Sequence, residues 1–154
     1  MRVIREYEDG DLNAVLSAWE NASKVAHPFL SAAFLAEERQ NIPTVYLPNA
    51  DSWVIEQDGK VVGFISLLGN EVGAIFVQPP FHGIGLGTAL MDKAQELHGE
   101  LEVEVFEKNS MGRQFYKKYG FAFMRKHFHE ETGHYLLRLK FTADKVSYSS
   151  PNWG

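Results

Sequence analysis

The sequence predicts an α+β domain built on one mixed sheet, with its elements in the order βααβββαβαββ. Three features carry that expectation. Apolar residues recur at helical spacing in the first third, as Leu12, Val15, Leu16 and Trp19, and then alternate with polar ones from Ser52 onward. Asp58-Gly59 stands between two alternating runs, a strong hairpin signal. A strand, a glycine turn, a helix and a further strand follow from Glu71, and such a βαβ unit places a parallel pair beside the antiparallel hairpins.

Taken in order, Arg2 to Tyr7 reads as a short strand ended by the turn Glu8-Asp9-Gly10. Asp11 can cap a helix running to about Lys24, and Pro28 stops helix in the piece from Val25 to Leu30. Ser31 caps a second helix to about Asn41, with a loop from Pro43 to Asn49. Ser52 to Gln57 and Lys60 to Leu68 are the hairpin strands. Glu71 to Gln78 is a third strand, and its Ala74-Ile75-Phe76-Val77 run suggests burial on both faces, with Pro79 and Pro80 ending it. The glycine turn opens a helix to about His98, striped by Leu86, Leu90, Ala94 and Leu97. Leu101, Val103 and Val105 alternate with Glu102 and Glu104 in another strand. Ser110 caps a short helix to Tyr119 that Gly120 ends, and Phe121 to Phe128 with His134 to Phe141 close the domain as a hairpin. The domain is read as residues 1–141. The tail, 142–154, reads as loosely ordered, with Tyr148 and Trp153 able to dock and Trp153 a candidate contact in a homodimer.

The bulk numbers narrow the function. A chain of 154 residues, 45% hydrophobic and 23% charged, is large enough for one core without staples. It has no cysteine, which excludes disulfides, thiolate metal sites and a covalent intermediate on sulfur. No apolar run approaches a membrane span, and the start turns acidic too early for a signal peptide, so a cytoplasmic protein is expected. Fifteen basic residues against twenty acidic give a net charge of −5, which argues against nucleic acid as a partner and is compatible with an amine-bearing one.

His82-Gly83-Ile84-Gly85-Leu86-Gly87 is the segment that carries chemistry. Glycines after a strand and at a helix start let backbone amides approach an anion, and the positive end of the helix dipole adds to the attraction. A bare strand-to-helix turn would look similar. A P-loop would need Gly-Lys-Ser/Thr, but Thr88 and Ala89 follow Gly87. A dinucleotide fingerprint would need glycine at Thr88 or Leu90. The turn instead resembles the pyrophosphate turn (Arg/Gln)-x-x-Gly-x-(Gly/Ala) of the GCN5-related N-acetyltransferase (GNAT) family, with His82 where Arg or Gln is usual. Downstream, Asn109-Ser110-Met111-Gly112-Arg113-Gln114-Phe115-Tyr116-Lys117-Lys118-Tyr119-Gly120-Phe121 resembles that family's second signature, with Gly112 for the commoner Ala. The segments His27 to Leu30, Asp51 to Val54 and Asp58 to Phe64 are similar to a subgroup of small bacterial N-acetyltransferases, some of which act on protein lysines.

The resemblance implies a sheet splayed between its fourth and fifth strands, and acetyl-CoA as cosubstrate. It places pantetheine against the free backbone of Phe76 and Val77, and pyrophosphate on His82, Gly83, Ile84, Gly85, Leu86, Gly87 and Thr88. Asn109 would bond near the pantetheine and Tyr116 would protonate the departing thiolate, as a phenol neutral near pH 7 can. Tyr119 reads as structural. The acceptor amine must lose a proton, and Glu71 is the candidate base, its strand burial a means of raising its pKa. Glu104 and a water relay are the alternatives. His27 and Phe29 are candidate acceptor contacts, His27 equally a turn residue, whereas Trp53 reads as core. His127 and His129 share a face without a third ligand, and no metal is expected. With no cysteine, acetyl passes directly to the primary amine of a small molecule, peptide or protein lysine. A CoA-sensing module without activity and an aminoacyl-tRNA-acetylating toxin are the competing readings.

Overall fold

Alternating side chains build seven strands, β1 (Arg2–Glu6), β2 (Asp51–Gln57), β3 (Lys60–Leu68), β4 (Glu71–Val77), β5 (Leu101–Phe106), β6 (Ala122–His129) and β7 (His134–Phe141). Helical spacing builds α1 (Leu12–Ala26), α2 (Ala32–Asn41), the single turn α3 (Leu47–Asn49), α4 (Leu86–His98) and α5 (Ser110–Tyr119). The computed structural model describes residues 1–143, so the expectations for Tyr148 and Trp153 lie outside the described residues. Among those described, no helix is long and apolar enough to cross a membrane.

The strands form one sheet in the order β1-β2-β3-β4-β5-β7-β6. Every neighbouring pair is antiparallel except β4 and β5, the two strands that the βαβ passage joins. That parallel join is short: only Glu71 with Glu102 and Val72 with Val103 are in register. By contrast β3 stays with β4 as far as Val77, and β7 stays with β5 as far as Phe106. Beyond Val72 and Val103 the two halves of the sheet therefore part, and the splay lies between the fourth and fifth strands.

Each face carries its own core. Val62, Ile65, Val72, Val77, Val103 and Val105 pack on one face against Leu86, Leu90, Met91 and Ala94 of α4 and Tyr116 of α5. On the other face Val54 and Phe64 meet Val15, Ala18 and Trp19 of α1 together with Ile42. Trp53 packs on the α4 side, where the Lys93 ammonium lies 4.3 Å from its ring centroid. It is thus a core residue away from α1 and α2. In the hairpin turn Asp58 and Gly59 have φ of 53° and 84°, the doubly left-handed pair that suits the twist of the flanking strands.

Three local expectations are corrected. Asp11 does not cap α1: it ends a short 3₁₀ turn, Asp9–Asp11, and its carboxylate accepts from both Arg5 Nη atoms at 2.8 and 2.9 Å and from the Glu8 amide. Its charge is directed to β1 instead. The stretch after Asn41 is no loop. A π-helical turn, Ile42–Tyr46, leads into α3, and the wider turn absorbs the missing amide of Pro43 while burying Ile42. The N-cap of α5 is Asn109 rather than Ser110, with its Oδ1 accepting from the Gly112 amide at 2.9 Å. Ser31 does cap α2, accepting from the Phe34 amide.

Candidate functional site

The splay leaves backbone groups of β4 without a strand partner, and peptide planarity says which. The Gln78 amide donates to Val62 on β3 at 2.8 Å, so the Val77 carbonyl, across the same trans peptide, points the opposite way, into the gap. Residues of a strand alternate in this respect. Val77 and Ile75 thus turn their polar groups to the gap and Phe76 turns its own to β3, where its oxygen stands 2.9 Å from the point a side chain on Gly63 would occupy. Of the two residues expected to pair with an extended ligand, Val77 is presented and Phe76 is not. Ile75, one alternation away, was missed by the sequence reading, although the periodicity needed to find it was there.

Past β4, Pro79–Phe81 makes a 3₁₀ turn and the glycines make the next. Gly83 and Gly85 have φ of 82° and 89°, a region that strains any other residue, and both are exposed. Gly85 is the N-cap of α4 and has no side chain to offer. The first intrahelical bond runs from the Ala89 amide to Gly85, so the amides of Leu86, Gly87 and Thr88 begin the helix without an intrahelical acceptor. Arg2, from the start of β1, holds the turn from its carbonyl side, donating to Ile84 at 2.8 Å. Gly87 permits close packing of a different kind, since a Cβ there would stand 3.2 Å from the Phe115 ring of α5. His82 is half-buried and its Nε2 lies 2.6 Å from the Val77 oxygen.

Helix α5 spans the open end of the splay. Phe115 meets the first turn of α4, and Asn109 at the helix start reaches the far face, where its Nδ2 lies 3.4 Å from Nε2 of His27. Asn109 is buried, and a Cβ on Gly112 would come within 2.4 Å of its amide, so the glycine is what lets Asn109 fold over its own helix. Tyr116 is 8% exposed, its ring edge-on to Phe115 and Phe121. Burial pushes its phenol well above the usual value, which holds the proton on oxygen. No group among the described residues hydrogen-bonds that hydroxyl. Tyr119 differs: its hydroxyl donates to Asp92 at 2.6 Å and ties α5 to α4.

His27 ends α1 and lies against Phe76 of β4 and Phe106 of β5, with ring centroids 6.3 and 5.5 Å away, so it bridges the two parting strands. Burial among these rings depresses its pKa to about 4. Phe29 packs on His27, Phe106 and His134. Beside this aromatic wall, Glu71, Glu102 and Glu104 gather around one guanidinium. Arg138 reaches Glu71 at 3.0 Å, Glu102 at 2.8 Å and Glu104 at 3.5 Å, and His127 stands 3.4 Å from Glu104. Glu71 is only half-buried, its side chain being 36% exposed, because it is the first residue of β4 and follows directly on the turn from β3. Arg138 was missed: it lies 67 residues from Glu71, and only strand register brings them together. Among the described residues no cluster of three His, Asp or Glu side chains could hold a metal ion.

Residues 48–123 match the acetyltransferase (GNAT) domain family. The peptidyl-lysine N-acetyltransferase YiaC of Escherichia coli K12 is 36% identical over 131 residues, spanning 84% of this chain and 90% of that protein. The solution structure of apo-form YjaB from Escherichia coli superposes with a TM-score of 0.83 at 28% identity, covering 93% of this chain and 99% of the other. A putative streptothricin acetyltransferase from Bacillus anthracis, solved with acetyl coenzyme A, shares the fold with a TM-score of 0.68 at 19% identity, over 94% of this chain and 99% of its own.

Proposed function

The chain belongs to the GNAT family and uses acetyl-CoA as cosubstrate; on that premise we propose that the amine it acetylates is a lysine side chain in a peptide or protein. The observation that carries this reading is the meeting of Glu71, Glu102 and Glu104 on the single guanidinium of Arg138, on a partly exposed sheet face beside the splay. One cation cannot neutralise three carboxylates, and a long ammonium-bearing side chain suits the remainder. The 36% identity to a protein named for peptidyl-lysine acetylation points the same way.

The residues divide the work. Bound acetyl-CoA supplies an acyl group activated as a thioester. The amides of Leu86, Gly87 and Thr88 receive phosphate at the positive end of α4. The Val77 amide, turned into the gap, donates to the acyl oxygen as negative charge develops there. A chain of waters along β4 carries the proton of the amine toward Glu71, at the far end of the strand from Val77, and Tyr116 protonates the leaving sulfur. Glu71→Gln is expected to lower kcat/KM about 100-fold with acetyl-CoA affinity retained. A larger loss for Glu104→Gln would transfer the role of base to Glu104. The substrate class is tested by mass spectrometry on a mixture of lysine peptides, polyamines, free amino acids and aminoglycosides incubated with acetyl-CoA. Gain of one acetyl group on lysine side chains is the expected result, and acetylation confined to small molecules or to peptide N-termini would defeat the reading.

A further inference from the structure

The contact between His82 and Val77 falls on the edge that the ligand would use. The Val77 carbonyl faces the gap, and His82 Nε2 lies 2.6 Å from its oxygen. A carbonyl only accepts, so the ring donates, and Nε2 carries the proton in this arrangement. The bond is local, five residues long, and closes the 3₁₀ turn Pro79–Phe81 back onto the end of β4. Gly83 comes next in the chain with φ of 82°, so the backbone turns away directly after His82, and the half-buried ring is held to β4 by this one bond. Lodged beside a strand edge that has lost its neighbour, the imidazole N–H does there what a ladder amide does elsewhere in the sheet.

We propose that His82 is a stand-in for the ligand: it satisfies the Val77 carbonyl while the splay is open, and gives that acceptor up to an extended arm bearing its own amide N–H. The proposal rests on the acetyl-CoA reading and deepens it. His82 then sets cofactor affinity by competition, not by gripping the cofactor. The free protein keeps its open edge paired, and a ligand without an N–H to return to Val77 gains less from displacing the ring.

The experiment compares CoA binding by calorimetry in the wild type, His82→Phe and His82→Gln, and follows the His82 ring nitrogens by NMR as CoA is added to the wild type. The Phe variant keeps the ring without a donor and is expected to bind CoA about fivefold more tightly, one neutral hydrogen bond no longer being displaced. The Gln variant keeps an N–H and is expected to fall between the two. In the NMR titration the Nε2–H signal of the bonded ring is expected to disappear on saturation. Weaker binding by the Phe variant would overturn the proposal and mark His82 as a direct ligand contact, and so would a ring signal that persists in the complex. The NMR arm needs no variant to fold. Absence of any CoA binding to the wild type would instead defeat the acetyl-CoA reading, and this proposal with it.

Discussion

Tyr116→Phe is expected to lower kcat about 100-fold while the dissociation constant for acetyl-CoA stays within about twofold. The separation stems from the surroundings of the ring. Phe115 and Phe121 pack edge-on against its carbons, and the substitution keeps every one of those contacts. The hydroxyl has no hydrogen-bond partner among the described residues, so its removal strands no donor or acceptor, and the stability change stays below about 0.5 kcal/mol. Loss of the proton held by the raised phenol is all that remains. Steady-state kinetics, calorimetric binding and a thermal midpoint on one preparation check the three parts. If turnover and affinity fell together, or neither changed, Tyr116 would be a core residue and no acid.

Acid is expected to destabilise the protein through His27, more than carboxylate protonation alone would. In the folded chain its pKa is pushed down to about 4, whereas an unfolded histidine titrates near ~6.5. Between those values the unfolded chain binds the extra proton and the folded chain refuses it, so stability falls as pH falls. Nothing is lost above pH ~6.5; about 2 kcal/mol is gone at pH ~5, and about 3 kcal/mol once the folded state also protonates. His27→Gln removes this component and leaves the carboxylates in place. The difference in unfolding free energy between the two proteins, taken from urea melts at several pH values, is expected to shrink toward acid by that amount. Parallel curves would show that His27 protonates freely in the fold. In the folded enzyme the ring takes its proton only near pH ~4, and catalysis is expected to fail there, at the acid end of that window. Nε2 faces the Asn109 amide, which only donates, and a protonated ring offers that amide no acceptor.

Much of the fold was legible because it is written in local terms. The change from helical to alternating spacing, the Asp58-Gly59 turn and the passage from Glu71 to Phe106 sufficed to order the elements and to locate the parallel pair. The glycine turn and the Asn109–Phe121 segment brought the phosphate-facing and proton-donating candidates with them. The features that escaped depend on which of several available partners a group takes in the folded chain. Asp11 has the spacing of a cap, yet Arg5 and the Glu8 amide claim its oxygens first. Ser110 is an ordinary capping residue, but Asn109 reaches Gly112 because glycine leaves room beneath it. Pro43 reads as a helix breaker unless a π turn takes it in. Arg138 gives no signal of its own. The bulges in the β3–β4 and β6–β7 ladders shift register by a residue, and they decide which charges share a face.

The join between β4 and β5, only two residue pairs long, makes the stability of the fold depend on its ligand. Cohesion across the middle of the sheet is left partly to whatever occupies the splay, so the unliganded chain is the easier one to open. A ligand that bonds both edges stabilises the folded state by RT ln(1 + [L]/Kd), about 2.7 kcal/mol when it stands at ~100 times its dissociation constant. The fraction of chains open to a protease is therefore expected to fall as acetyl-CoA is added, which limited proteolysis at rising ligand concentration checks. The brevity of that join thus makes resistance to unfolding a direct readout of how far the gap is filled.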